Sequence, residues 1–175
     1  MQFLARMSLM TKLVGAFAIT SVLAIGLGLF AIVQLGKVNG TSTEMAESWL
    51  PSVRYVSDLG TQLNALRRNE LQHILSTSED EMTRYETQMR DTLARLDASR
   101  TEYSKLISSD EERALYRTLE RDVQAYVTEH DKVLALSRAN RNDEAKALVR
   151  GEAAKNFRAA SDTVEKLVQL NVAGG

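Results

Sequence analysis

Cysteine is absent from the chain, which excludes disulfides, thiolate metal sites and covalently attached c-type haem. Proline occurs once, at Pro51, and glycine only nine times in 175 residues, so little interrupts regular structure. Histidine occurs twice, at His73 and His130, too seldom for most histidine-based metal centres. No acidic residue precedes Glu44, and no charge of either sign lies between Leu13 and Leu35. A surplus of basic residues is also missing, and a net charge of −1 argues against nucleic acid as a partner. Of the 22 basic residues, Arg6, Lys12 and Lys37 precede Val38, leaving 19 against 23 acidic in the remainder, a mildly acidic part. No Gly-rich phosphate loop occurs; Gly26-Leu27-Gly28 falls inside the apolar run, where small residues allow close helix packing. Nucleophile, base and orienting acid assemble with no recognisable spacing, and the serines cluster at helix starts and turns, where the hydroxyl has a structural job. The expectation is no enzyme, no cofactor and no metal.

What is present begins with LVGAFAITSVLAIGLGLFAIVQL at 13–35. About 20 apolar residues cross a hydrocarbon core of roughly 30 Å. Such a segment must be a helix, because lipid offers the backbone no partner. The preceding tail, 1–12, carries Arg6, Lys12 and the amino terminus with no acid, which places it in the cytoplasm and sends the following domain across the membrane. A cleaved signal has a shorter apolar core, of about 7–15 residues, and a small-x-small site after it. Here the run is longer and ends in VQLGKVNG, so a retained anchor is expected.

Beyond the anchor the pattern is helical throughout. Pro51 predicts a kink or a fresh helix start near residues 47–51, because proline lacks a donor and crowds the preceding turn. Val56, Leu59, Leu63, Leu66, Glu70 and His73 or Ile74 then recur at three and four, one stripe facing a core. Ser78-Glu79-Asp80-Glu81 and Ser109-Asp110-Glu111-Glu112 both fit S-x-x-E, in which hydroxyl and carboxylate cap free amides at a helix start. Between them Met82, Met89, Leu96 and Tyr103 fall every seven residues, with Tyr85 and Leu106 on the alternate seam. The third helix repeats the pattern with Leu119, Tyr126 and Val133, supported by Leu115, Val123 and Leu136. It stops near residues 139–142. Asn142 then caps a short helix that Gly151 closes, in the role only glycine fills cheaply. A last helix from Glu152 carries Phe157, Ala160, Val164, Leu167 and Leu170. The fold class is all-α: an N-terminal transmembrane helix followed by an antiparallel up-down-up-down four-helix bundle with short turns.

Lengths add one expectation. A first bundle helix from about residue 38 to Ser76 spans roughly 57 Å at about 1.5 Å per residue, whereas the last, starting at the far end, spans only roughly 36 Å. Its seam is still apolar at Leu170 and Val172, so the sequence is expected to stop inside that helix, whose continuation returns to the bilayer.

TKLVGAF opening the membrane helix, WLPSVRYVSDL after it, RRNELQHILS, ERALYRTL and DEAKALVRGE occur in an order and spacing that resemble the N-terminal half of bacterial methyl-accepting chemotaxis proteins with a four-helix-bundle ligand-binding domain. The resemblance spans essentially the whole chain. It implies a cytoplasmic tail at 1–12, an inner-membrane span at 13–35 and a periplasmic sensor domain at 38–175. It also implies a dimer or related oligomer that binds small ligands near the membrane-distal end and signals through a second membrane helix. The same module resembles the input of some histidine kinases and cyclases, and a membrane-tethered bundle that only dimerises a cytoplasmic domain is a further alternative.

In aspartate-type relatives, arginines on the first bundle helix grip ligand carboxylates across the dimer interface. Here Arg67-Arg68 stands two to three turns from the end of that helix, and a guanidinium fork matches a carboxylate two bonds at a time. A solvated pair balancing Glu70 is the competing reading. Thr61 and Asn64, a turn or two back on the same face, could add hydrogen bonds. Matching heights brings Tyr126 and Arg158 to this level, Tyr126 as a ligand contact or a core ring, and Arg158 as a second cation or a solvated helix-start residue. The expected ligand is a small organic anion, a carboxylate. Glu70-x-x-His73 is half of a di-iron pattern, but a second such pair is missing, because Glu129 and His130 are adjacent. Met82 and Met89 sit at core spacing and read as gap-fillers rather than haem ligands.

Overall fold

The computed structural model describes residues 9–44 and 49–174, with side chains at 9–37 and 49–173. Six helices follow in order: α1 Leu9–Glu44, α2 Leu50–Leu75, α3 Glu79–Ser104, α4 Asp110–Arg138, α5 Asn142–Arg150 and α6 Glu152–Gly174. No strand occurs among the described residues. The chain divides into two compact units, residues 1–45 and 46–175.

In the first unit, Leu9–Lys37 of α1 has a mean hydropathy of 2.4, long and apolar enough to cross a membrane. The Thr20 hydroxyl is met within the helix, donating to the Ala16 and Phe17 carbonyls at 3.1 and 2.9 Å, the local bonding that an apolar surrounding favours. The expected helix from residue 38 to Ser76 is divided. Residues 38–44 continue α1, and α2 starts at Leu50 with Pro51 in its first turn, where the missing N–H has no helical partner to lose. Residues 45–48, on which part of the expected kink falls, lie outside the described residues.

In the second unit, the starts of α2 and α4 and the ends of α3 and α6 meet at one end. Tyr103 OH, on α3, donates to Glu112 Oε1 on α4 at 2.6 Å, Asn171 Nδ2 on α6 donates to Tyr103 OH at 2.9 Å, and Trp49 Nε1 donates to the Asn171 carbonyl. The four long helices are therefore antiparallel, and α5 lies across the opposite end. The heptad positions fill the core: Val56, Leu59, Leu63 and Leu66 from α2, Met89, Leu96 and Tyr103 from α3, Leu119, Val123 and Tyr126 from α4, and Ala160, Val164 and Leu167 from α6. A second cluster of Ile74, Val133, Ala145, Val149 and Ala153 seats α5 on the bundle. Backbones approach most closely between α2 and α3, α4 and α6, and α2 and α6. The α3–α4 side is wider and is spanned by long side chains, among them the edge-to-face Tyr103–Tyr116 pair at 5.6 Å.

Both S-x-x-E motifs cap helices, with one shift. Ser78 and Ser109 accept from the Glu81 and Glu112 amides at 3.3 and 3.1 Å. The glutamates reach one residue further back than the cap, to the Thr77 and Ser108 amides at 3.0 and 2.9 Å. After α4 the chain reverses through Asn140 at φ 57°, with the Arg141 amide on the Leu136 carbonyl and the Asn140 amide on that of Ser137. That is the left-handed helix stop in which asparagine substitutes for glycine. Two local expectations need correction. Asn142 does not cap α5; it is the first residue of the helix, and its buried Oδ1 has no partner among the described residues. Gly151 has φ −94°, not a left-handed angle, and what glycine relieves there is crowding, since a Cβ would stand a tight 3.2 Å from the Ala147 carbonyl oxygen.

Candidate functional site

The three-four stripe of α2 places Arg67 on the flank of the core, four residues after Leu63 and three before Glu70, and turns Arg68 outward. The adjacent arginines thus have separate surroundings. The Arg67 side chain is 16 % exposed. Its NH1 donates to Glu70 Oε2 at 2.8 Å and its NH2 to the Val149 carbonyl at 2.5 Å, tying α2 to the end of α5. Its guanidinium carbon also stands 5.7 Å from the centre of the Phe157 ring on α6, a cation–π contact.

Glu70, fully buried, is the hub of this region. Oε2 also accepts from Tyr126 OH at 3.4 Å, and Oε1 lies 3.3 Å from His130 Nδ1. Burial, reinforced by the Glu70 charge, pushes the Tyr126 phenol well above the usual range, so it stays a donor. Tyr126 packs edge-to-face on Phe157 at 5.6 Å. Of the two readings open for Tyr126, the core ring with its hydroxyl satisfied describes its position. Arg67, expected to face a ligand, directs NH1 and NH2 to Glu70 and the Val149 carbonyl inside the protein.

Thr61, Asn64 and Arg68 do share an exposed face of α2. Thr61 Oγ1 donates to the Ser57 carbonyl at 3.1 Å, and Asn64 Nδ2 to that of Gly60 at 2.8 Å. Arg68 forms no ion pair with any described residue. Arg158 is exposed on α6, also without an ion pair among the described residues. The structure therefore sorts the six expected residues into an internal pair around Glu70, an outward trio on α2, and Arg158 on another helix.

The outward trio belongs to a longer row. Leu50, Arg54, Ser57, Thr61, Asn64, Arg68, Leu71 and Leu75 are all exposed and are spaced alternately by four and three. Alternating spacing of this kind is that of the a and d positions of a coiled coil, although five of these eight residues are polar. Its apolar members are at the ends, with Leu50, Leu71 and Leu75 exposed by 54, 41 and 66 %. Leu71 and Leu75 were not among the expected residues, although their spacing from Thr61, Asn64 and Arg68 was readable.

Glu70 and His73 diverge despite their spacing. His73 Nε2 meets Glu86 Oε1 on α3 at 3.1 Å, while Glu70 turns to His130. Among the described residues no group of three or more His, Cys, Asp or Glu side chains could hold a metal ion. A shallow groove of about 300 Å³ lies between α3 and α4, away from the expected residues. Its cation, Arg100, is already held by Asp97 and Glu120 at 3.1 and 3.4 Å, so it brings no unpaired charge to a ligand.

A family model described as a four helix bundle sensory module for signal transduction matches residues 6–175. A Bacillus subtilis (strain 168) protein, YvaQ, provisionally named a sensory transducer protein, is 23 % identical over 148 residues, which is 84 % of this chain and 26 % of that protein. The chain spans about a quarter of the length of that curated relative. With the family match running over nearly all of its residues, the chain belongs to the four-helix-bundle sensory modules for signal transduction.

Proposed function

We propose that the chain is the input part of a transmembrane chemoreceptor: α1 anchors it in the inner membrane, and the periplasmic bundle binds a small organic anion and passes the signal across the bilayer. The observation that carries the ligand class is Arg68, a permanently charged fork without an ion pair among the described residues, next to the Asn64 and Thr61 polar groups on an exposed seam. A second copy fits along that seam. In a parallel pair each seam residue faces its own counterpart, so two Arg68 side chains converge near the two-fold axis. Two desolvated guanidinium groups repel unless an anion lies between them, and a carboxylate answers both. Arg158 is the candidate second cation for a dicarboxylate. Arg67 and Tyr126 act from behind: Glu70 holds α2 to Tyr126 on α4, and Arg67 holds α2 to the Val149 carbonyl on α5 and the Phe157 ring on α6. The work is binding rather than catalysis, and a ligand shifts the packing of the pair by its differential affinity for two arrangements.

A thermal-shift panel on the full chain in detergent tests this reading. At least one carboxylate is expected to raise the melting temperature, and Arg68→Gln is expected to abolish the rise while leaving the unliganded value unchanged. A panel in which only neutral or cationic compounds shift the protein contradicts the anion assignment.

A further inference from the structure

The core row of α6 is Ala153, Phe157, Ala160, Val164, Leu167 and Asn171, spaced alternately by four and three. Five members are apolar and the sixth is an asparagine. A lone asparagine in a coiled-coil core row lowers stability and fixes register, because it is met only where its partner stands opposite. The rest of the row does less to fix the height of the helix. Ala153 and Ala160 are fully buried but present single methyl groups, which are shallow knobs. Gly60 on α2 lets Val164 come so near that a Cβ would stand 3.3 Å from its Cγ1.

Among the described residues, three side chains of α6 hydrogen-bond to another helix, and they are unequal. Asn156 Nδ2 donates to the Ala125 carbonyl on α4 at 3.4 Å. Thr163 Oγ1 lies 3.2 Å from Asp122 Oδ2 on α4 but nearer, at 2.9 Å, to the Ala159 carbonyl of its own helix. Asn171 Nδ2 donates to Tyr103 OH on α3 and to the Leu167 carbonyl, both at 2.9 Å. The Leu167 carbonyl fixes the orientation of the amide, since the turned amide would set two acceptors face to face. The Tyr103 hydrogen goes to Glu112 Oε1 at 2.6 Å, and Glu112 Oε2 takes the Ser108 amide at 2.9 Å. The Tyr103 oxygen is therefore left to accept from Asn171. The main-chain carbonyl of Asn171 takes Trp49 Nε1, just before α2. One residue of α6 is thus gripped through its side chain from α3 and α4, and through its backbone from the start of α2.

We propose that Asn171 is the register lock of α6: its amide, seated on Tyr103, holds the helix at one height in the bundle, and α6 takes more than one height when that seat is lost. One step along the row in either direction sets Leu167 or Gly174 opposite Tyr103, and neither has a side-chain donor. The Asn171 amide then leaves its acceptor, and a buried polar group without a partner is costly. Only the observed height meets both groups. The lock stands at the end of the bundle that the chain enters from α1, and it joins α6 to the start of α2, the helix whose outer face carries Arg68. A change in the packing of α2 therefore reaches α6 through residue 171. That consequence rests on the receptor reading; the lock does not.

The test uses pulsed electron–electron resonance. The chain has no cysteine, so spin labels go where they are placed. Thr87→Cys on α3 and Gln169→Cys on α6 are both exposed and stand at different heights, so the distance between the labels follows a slide of α6. The full chain is measured in detergent, diluted with unlabelled chain so that pairs within one chain are read. A single narrow distance is expected with Asn171 in place. Asn171→Leu, which completes the apolar row, is expected to hold or raise the melting temperature while spreading that distance into two or more populations. Tyr103→Phe, which removes the acceptor and keeps the ring, should spread it in the same way. A single unshifted distance in Asn171→Leu overturns the proposal, because a side chain that only stabilises would move the melting temperature and not the distance. Where that variant fails to fold, the Tyr103→Phe distance decides by the same reading. No anion enters the measurement, so its outcome is separate from that of the ligand panel.

Discussion

Arg67 and Arg68 have the same chemistry and opposite surroundings, and the difference can be measured. Removing one member of a buried ion pair strands the other, at a cost of about 3–5 kcal/mol, whereas an exposed side chain without partners changes stability by about 0.5 kcal/mol or less. Arg67→Ala is therefore expected to lower the urea midpoint strongly, with Glu70 left uncompensated inside the bundle. Arg68→Ala should leave the midpoint nearly unchanged; equal losses from the two would contradict the division of roles. A second expectation concerns acid. The Glu86 carboxyl is held below its usual value of 4.5, with burial opposing and the Arg138 and His73 hydrogen bonds prevailing. A depressed carboxylate contributes stability above its unfolded value, and the contribution is lost as pH falls through the folded one. Melting curves below about pH 4.5 should drop less steeply for Glu86→Gln than for the unsubstituted chain, and identical slopes would remove Glu86 from the acid limb. The orientation of these side chains was partly legible in the sequence. Counting from Leu63 and Glu70 puts Arg67 on the core flank, and counting from Thr61 and Asn64 puts Arg68 outside. Nothing local announced that the second partner of Arg67 is a carbonyl 82 residues away, because that distance closes only when α5 folds across the end of the bundle.

At the level of the helices, the caps carry the sequence signal most directly. Ser78 and Ser109 stand at the starts of α3 and α4, as the S-x-x-E spacing requires, but the two motifs have unequal duties. Glu81 closes its motif near the surface, while Glu112 is buried and also accepts the Tyr103 hydroxyl that connects to Asn171 on α6. Loss of a cap costs about 1 kcal/mol. Ser78→Ala is expected near that figure by chemical denaturation. Glu112→Ala should cost clearly more, since it strands Tyr103 as well, and a loss no greater than that of Ser78→Ala would show that the Tyr103 contact is idle. The heptad rows of α3 and α4 were readable for the same reason, since period and burial coincide. The ends of α5 were not. Its first turn takes Asn142 instead of being capped by it, and Gly151 relieves a close approach to Ala147 rather than supplying a left-handed angle. Both depend on how the α4–α5–α6 turns pack, which spacing along one helix does not contain.

For the molecule as a whole, the second row on α2 matters most. It runs the length of the helix at coiled-coil spacing while the first row fills the core, so α2 has one face for its own bundle and one that the proposed pairing would use. The absence of cysteine makes the partner face easy to examine. In a parallel pair the two copies of Leu71 oppose each other, within reach of the Cα separations that a disulfide bridges, about 4.4–6.8 Å. Leu71→Cys is expected to yield cross-linked dimers under mild oxidation, and Thr87→Cys, exposed on α3, to yield few; equal yields would dismiss the seam. The most direct test of the binding role is a calorimetric titration of the full chain with the carboxylate that best stabilises it. One anion per two chains is expected, with affinity reduced at least about tenfold by Arg68→Gln, since a hydrogen bond to a charged group contributes about 1.5–3 kcal/mol. Undiminished binding in Arg68→Gln would contradict an anion-sensing seam on α2.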